Sequence, residues 1–212
     1  MAILSSPKKI EARSFEIIEG HLRGVKLHPL AKPIVKRVIH ATADVSFARG
    51  LLFHHGALKA GINAIKEGKT IVVDANMVKA GINKKLLKAF GSRLICRLDS
   101  KRVAKEFLLS SATRSQLAMR ASIPWMKDGI VVVGNAPTAL FELCRLVKEK
   151  KTRPSLVVGI PVGFVGAREA KRKLRTLGVP YITNNGRKGG SACAVAIVNA
   201  LLIMASEEKL KL

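Results

Sequence analysis

One unit recurs along this 212-residue chain and constrains its fold: a short apolar run, a glycine-containing loop and then an amphipathic segment. We predict strands at 70–74, 93–98, 129–133, 155–160 and 180–183. Strands that alternate with helices are typical of a parallel, doubly wound sheet. The runs have mainly apolar centres and do not alternate between apolar and polar residues, which fits a sheet covered on both faces. The sequence therefore predicts an α/β fold in which helices flank a mainly parallel, doubly wound sheet.

The region before the first predicted strand is expected to be mostly helical. Apolar residues recur at helical spacing in 31–42 and 57–66. The apolar run 192–205 contains Asn199 and is shorter than the roughly 20 residues of a membrane span, so we predict a buried terminal helix. The length suits one domain, 1–212. The N-terminus lacks the apolar stretch of a signal peptide, so we expect a cytoplasmic protein without a membrane partner.

The chain is strongly basic, with a formal net charge of +24 from 38 Lys and Arg against 14 Asp and Glu residues. Such a surface attracts nucleic acid, an anionic membrane or a small polyanionic substrate. Aromatic residues make up only 4% of the chain, which disfavours binding of single strands by base stacking. Charge alone does not decide between a polyanionic metabolite and a duplex backbone. A basic α/β module that grips nucleic acid is therefore the competing hypothesis.

Glycine-containing loops follow the last three predicted strands. In an open parallel sheet such loops lie at the carboxyl ends of the strands, where ligands bind. Each loop leads into a helix N-terminus, which favours an anion. The segment GRKGGS at 186–191 has neither usual nucleotide-binding spacing, GxxxxGKS/T or GxGxxG. The loops predict carboxylate or phosphate binding without indicating a nucleotide, unless the glycines only serve tight turns. No cysteine and histidine spacing suggests a metal site.

His40 is the best single candidate for chemistry, because histidine can give or take a proton near neutral pH. It lies on a polar helix face, and Asp44, four residues later, is expected to orient its ring. On spacing alone, a half-buried structural histidine is the simpler explanation. Arg114, in the segment TRS, belongs either to a carboxylate clamp at a helix start or to an ordinary cap. The basic segment 168–175 is predicted to be a solvated helix face.

Seven segments carry a further signal, because they follow one another in a specific order. They are IEARSFEII (10–18), KRVIHATAD (36–44), VDANMVKAGINKKLL (73–87), TRS (113–115), GNAPTALF (134–141), GIPVGFVGAREAK (159–171) and GRKGGS (186–191). Nearly end to end, the chain resembles the precorrin-8X methylmutases and their cobalt-precorrin-8 counterparts. GNAPTALF and PVGFVG are long and specific, and KRVIHATAD is similar to the segment with the family's catalytic histidine. KRVIHATAD and GINKKLL are closer to the cobalt-dependent branch.

The resemblance implies an isomerase of cobalamin biosynthesis. It would move a methyl group from C11 to C12 of a polycarboxylate tetrapyrrole by a 1,5-sigmatropic shift, giving hydrogenobyrinate or cobyrinate, with His40 as proton donor or acceptor. It implies a homodimer and no cofactor, since any cobalt would arrive in the substrate. Asn76 stands where some relatives carry an acidic residue, so no carboxylate role is expected there. The residues implied to contact substrate are Ser14, Arg37, Arg114, Asn135, Thr138, Arg187, Gly189, Gly190 and Ser191.

Overall fold

The computed structural model describes residues 6–209. Residues 1–5 and 210–212, which belong to the predicted domain, lie outside the described residues. In this part of the chain the strands are β1 (Leu51–Phe53), β2 (Ile71–Val73), β3 (Leu94–Cys96), β4 (Ile130–Val133), β5 (Leu156–Gly159) and β6 (Tyr181–Asn184). They form one sheet in the order β1-β6-β5-β4-β2-β3.

The strands β2 to β6 run parallel, which confirms the predicted doubly wound sheet. Every strand predicted from the sequence contains or overlaps one of them. The strand β1 was not predicted, since its region was expected to be helical. It is only three residues long and pairs antiparallel with β6, with Leu51 opposite Asn184. A strand this short carries no periodic signal, and pairing with a distant segment decides its conformation.

Helices account for most of the remaining chain. They are α1 (Pro7–His21), α2 (Lys32–Thr42), α3 (Phe47–Gly50), α4 (Ala57–Lys66), α5 (Asn76–Gly81), α6 (Lys84–Ala89), α7 (Lys101–Leu108), α8 (Arg114–Ala121), α9 (Pro137–Lys148), α10 (Ala167–Arg175) and α11 (Ser191–Lys209). A single 3-10 turn spans Ile123–Trp125. The helices predicted at 31–42 and 57–66 are confirmed as α2 and α4.

Helices cover both faces of the sheet. On one face α2, α4, α5 and α11 pack around Ile71 and Val73 of β2, while α8, α9 and α10 pack on the other face, to which Val72 points. These three side chains are at most 2% exposed. Because successive residues of a strand point to opposite faces, each must be apolar when both faces are covered. This arrangement explains the unalternating apolar runs.

The last helix, α11, lies in the core. Within the described residues it is the one helix long and apolar enough to cross a membrane by length and composition, at residues 191–208. However, 61% of this segment is buried, and it packs against α2, α4 and α5. A helix that is apolar on all sides is expected where neighbours surround it. The prediction of a buried terminal helix is confirmed.

Candidate active site

The candidate site lies at the carboxyl edge of the parallel strands. From β2 the chain moves outward to β3, whereas from β4 it moves the opposite way through β5 to β6. The winding therefore reverses between β2 and β4. In doubly wound proteins the loops on either side of such a reversal leave a crevice at the carboxyl edge of the sheet, and ligands bind there.

Asp74, directly after β2, holds the two sides of this crevice together. One carboxylate oxygen accepts a hydrogen bond from the backbone N–H of Gly134 at 3.0 Å. The other accepts from the N–H groups of Asn135 and Ala136 at 2.9 and 2.8 Å. Burial raises the pKa of Asp74, and the three N–H donors act against that rise. The carboxylate thus fixes the turn that presents Asn135, one of the residues implied to contact substrate.

Polar side chains of the neighbouring loops form two further sets of contacts beside this turn. The Asn76 side chain donates to the Asp99 carboxylate, which also pairs with the Arg114 guanidinium at 3.2 Å. Thr113 forms a capping box at the start of α8, and its hydroxyl donates to the Thr138 hydroxyl at 3.0 Å. Thr113 is therefore an ordinary cap, while Arg114 already has a carboxylate partner from its own chain. The structure brings Asn135, Thr138 and Arg114 to one edge.

The candidate catalytic residue, His40, is exposed near the end of α2. Its ring stacks on Phe15 of α1, with 5.1 Å between the ring centroids and 29° between the planes. The Lys36 ammonium and the Arg37 guanidinium lie 5.3 and 5.5 Å from the centroid of the Phe15 ring. A flat aromatic surface therefore carries an imidazole and two cations, and one edge of the imidazole is open to solvent.

Ser14 and Arg37 lie beside this stack, and both contact their own chain. The Ser14 hydroxyl donates to the backbone carbonyl of Ile10 at 3.0 Å. The Arg37 side chain is one-third exposed and lies 3.8 Å from the carboxylate of Glu11. The long separation and partial exposure make this ion pair weak, so an anionic ligand can replace Glu11 at small cost.

The predicted contact between Asp44 and His40 is wrong. The helix α2 ends at Thr42, and Ala43 has a φ of 53°, so Asp44 does not continue the helical spacing. Its carboxylate instead pairs with the Lys188 ammonium at 2.7 Å and accepts from the Ser46 backbone at 2.9 Å. The hydrogen bonds from Lys188 and Ser46 lower the pKa of Asp44 to about 2. Asp44 ties the end of α2 to the loop after β6.

The loop after β6 is held close to the loop after β5. Gly189 has a φ of 147°, and a Cβ there would lie 2.3 Å from the carbonyl oxygen of Ile160, so only glycine fits. The N–H of Gly190 donates to the same carbonyl at 2.9 Å. The Arg187 guanidinium lies 5.7 Å from the centroid of the exposed Phe164 ring. Ser191 begins α11 and is 9% exposed.

Apart from the loop at 186–191, the site residues thus form two groups at the carboxyl edge. The His40 group comprises Ser14, Phe15, Arg37 and His40. The Arg114 group comprises Asn76, Asp99, Arg114, Asn135 and Thr138. Between residues 6 and 209, no hydrogen bond or ion pair joins one group to the other.

The basic segment 168–175 differs from its prediction. Arg168 and Arg172 are exposed as expected, but the Lys171 side chain is buried, with 1% of the residue exposed. Sequence reasoning also missed Phe15, whose position follows only from the packing of α1 on α2. Asp74 could have been found, because it directly follows a buried strand. No group of three or more His, Cys, Asp or Glu side chains among residues 6–209 is arranged to hold a metal ion.

Fold and site together define a doubly wound α/β protein with basic and polar side chains gathered at the carboxyl edge of its sheet. A family model described as precorrin-8X methylmutase (CbiC) matches residues 9–204. The chain belongs to the precorrin-8X methylmutase family, a family of isomerases.

Individual relatives agree with this assignment. The chain is 45% identical to the cobalt-precorrin-8 methylmutase of Priestia megaterium, over 94% of this chain and 88% of the relative. It is 42% identical to the enzyme of the same name from Methanocaldococcus jannaschii, over 98% and 99%. The crystal structure of the precorrin-8X methylmutase from Thermus thermophilus superposes with a TM-score of 0.89 at 38% identity, covering 95% of this chain and 97% of that one.

Proposed function

We propose that this chain moves a methyl group from C11 to C12 of cobalt-precorrin-8 or precorrin-8X, and that His40 supplies and recovers the proton that promotes the shift. The observation that carries this proposal is the exposed His40 ring, stacked on Phe15 beside the Arg37 cation at the carboxyl edge of the sheet. Family membership supports the class of reaction, and the geometry supports His40 as the residue that handles the proton. The names of the two relatives favour the cobalt-containing substrate.

The reaction requires little covalent participation by the protein. A sigmatropic shift moves the methyl group within one molecule, so the enzyme exchanges nothing with the substrate except the proton that His40 donates and then takes back. The chain has to hold the reacting conformer and place one acid near the macrocycle. Stacking on Phe15 limits rotation of the His40 ring, while its solvent-facing edge remains free to meet the substrate. Cobalt, where present, belongs to the substrate.

The basic side chains then hold the carboxylates of the macrocycle. We propose that Arg37, Arg114 and the loop at 186–191 make these contacts, because a guanidinium presents a planar pair of donors that matches a carboxylate. Both arginines already lie near a carboxylate, Arg37 near Glu11 and Arg114 near Asp99. Each is thus placed to exchange an exposed internal partner for a substrate carboxylate.

Replacement of Arg37 by alanine should weaken tetrapyrrole binding by about tenfold or more, because a charge-assisted hydrogen bond to a partly desolvated carboxylate is lost. Fluorescence or absorption titration with the coloured product measures this change. Arg13→Ala is the matched control, since Arg13 also lies on the α1–α2 surface but pairs with Glu16 in solvent. Unchanged affinity in both Arg37→Ala and Arg114→Ala would remove these residues from the site.

We further propose that a second copy of the chain covers the carboxyl edge, as a homodimer, and that the protein works in the cytoplasm. Large apolar side chains stand exposed at this edge: Phe164 and Val165 in the loop after β5 are 87% and 88% exposed, and Met77 in α5 is 73% exposed. Exposed apolar groups gathered at one edge are typical of an interaction surface. A stable monomer at micromolar concentration in light scattering would contradict the dimer.

The function is tested by incubating the purified protein with precorrin-8X and, separately, with cobalt-precorrin-8. We expect the absorption spectrum to change to that of a conjugated corrin, faster with the cobalt form. Failure of the folded protein to convert either compound would contradict the proposal. Tight duplex binding that weakens steeply with salt would then favour the competing nucleic-acid hypothesis.

A further inference from the structure

One face of α10 carries four cations in a single stripe. Arg168, Lys171, Arg172 and Arg175 follow the spacing i, i+3, i+4 and i+7, which places them side by side. Like charges at this spacing destabilise a helix. In most surface helices such a stripe is apolar or alternates in sign. A stripe of cations is therefore costly unless an anion lies against it.

The stripe forms one wall of a pocket. The opposite wall comes from the end of β6 and the start of the following loop, at Asn184, Asn185 and Gly186. The volume of this open pocket is about 520 Å³. Because α10 packs on the sheet face opposite to α2, this pocket opens on the other side of the loop from His40. None of its lining residues belongs to the His40 group or the Arg114 group, and Gly186 is the one lining residue that also belongs to the loop at 186–191.

The floor of the pocket holds a buried cation. The Lys171 ammonium donates to the carbonyl oxygens of Gly186 and Lys188 at 3.1 and 2.5 Å. Burial lowers the pKa of Lys171 to about 8. Taking a lysine out of water is expensive without an anionic partner, and the side-chain contacts of Lys171 are both to neutral carbonyls. An anion in the pocket would supply the missing charge.

A buried acceptor also lines the pocket. The Asn184 side chain donates through Nδ2 to the carbonyls of Asn185 and Lys188 at 3.1 and 2.8 Å, which fixes the orientation of the amide. Its Oδ1 atom is buried and has no hydrogen-bond partner. A buried acceptor without a donor costs free energy. A ligand hydroxyl group would satisfy it.

The charges of the pocket are largely uncompensated. Arg172 lies 3.6 Å from Glu169, but both side chains are more than half exposed, so this pair is weak. Arg175 donates to the neutral Asn185 amide at 3.2 Å. Arg168 makes no side-chain hydrogen bond or ion pair with the part of the chain that the structure describes. The guanidinium groups of Arg168 and Arg172 are thus available to bind a ligand with several charged oxygens.

We propose that this pocket binds the dianionic phosphate group of inorganic phosphate or of a small phosphomonoester, at a site apart from the His40 group and the Arg114 group. A phosphate group offers more acceptor oxygens and more charge than one carboxylate, which suits several guanidinium forks around one point. The volume leaves room for the body of a small metabolite beside the phosphate.

Isothermal titration with inorganic phosphate, and then with a hydroxylated phosphomonoester such as glycerol 3-phosphate, tests the proposal. All titrations use the full chain at one fixed ionic strength, so that general attraction to a basic surface is held constant. The variant Arg168→Gln/Arg172→Gln removes two cations of the pocket. The control Arg23→Gln/Arg93→Gln removes the same charge at two exposed arginines elsewhere.

We expect one saturable site per chain, weakened about tenfold or more in the pocket variant and unchanged in the control. Equal weakening in both variants, or no saturable binding, would overturn the site. Competition between phosphate and the coloured tetrapyrrole product, together with loss of product affinity in the pocket variant, would also overturn it, because the pocket would then hold a substrate carboxylate.

Discussion

His40→Ala should lower turnover by roughly 10² to 10⁴-fold, the usual cost of losing a positioned acid or base. The variant should still fold, because the His40 side chain is exposed and its described ring contact is with Phe15 alone. It should also bind the coloured product, since Arg37 and the Arg114 group are untouched. Initial rates with the preferred substrate, together with product titration, measure the two effects separately.

His21→Ala is the matched control for this experiment. His21 is likewise exposed and lies at the end of a helix, but it is outside both site groups. We expect near-normal turnover in the control. Near-normal turnover in a folded His40→Ala protein would exclude His40 as the proton-handling residue. Loss of folding in that variant would instead identify a structural histidine.

Asp74→Asn should destabilise the fold by about 2–4 kcal/mol, because three backbone N–H groups lose part of their common acceptor. The amide has nearly the shape of the carboxyl group, but it turns a donor toward donors that are buried between β2 and β4. For a chain of this length, such a loss lowers the melting temperature by roughly 5–15 °C. Thermal and urea unfolding followed by circular dichroism measure it.

The control for this variant is Asp128→Asn, which removes the same charge at an exposed position and keeps a residue that tolerates a positive φ. We expect Asp128→Asn to unfold within a few degrees of the parent chain. If Asp74→Asn were as stable as the control, the carboxylate would not be the acceptor that joins the two loops.

Much of the fold could be predicted from the sequence because two of its signals are local: the apolar runs of the strands and the apolar stripes of the helices. The parallel strands β2 to β5 are continuous apolar runs, and a sheet covered on both faces favours that pattern. The helix α2 shows its stripe in Ile34, Val35, Val38 and Ile39, all at most 2% exposed. The strand β1 was missed because its partner lies more than a hundred residues later, so nothing near it in sequence reports the pairing.

The candidate site was predictable to a lesser degree. Motif resemblance placed His40, Arg37 and Arg114, and the structure brings each to the carboxyl edge with polar or aromatic neighbours. The contact between Asp44 and His40 failed, because helical spacing was extended past Thr42, where the helix ends in a left-handed residue. The stacking of Phe15 depends on how α1 packs against α2, and such a tertiary contact leaves no mark in local spacing.

The packing of α2 on α11 has a consequence for how the chain is made. The helix with His40 lies in the first fifth of the sequence, yet its buried face rests on the last helix. The ribosome makes α11 more than a hundred residues after α2, so until then α2 has α1 and α3 to pack on but lacks α11. Contacts between distant segments form late and slowly. The surface that carries His40 is thus fully supported only after α11 has been made, and a chain cut short before residue 191 lacks that support.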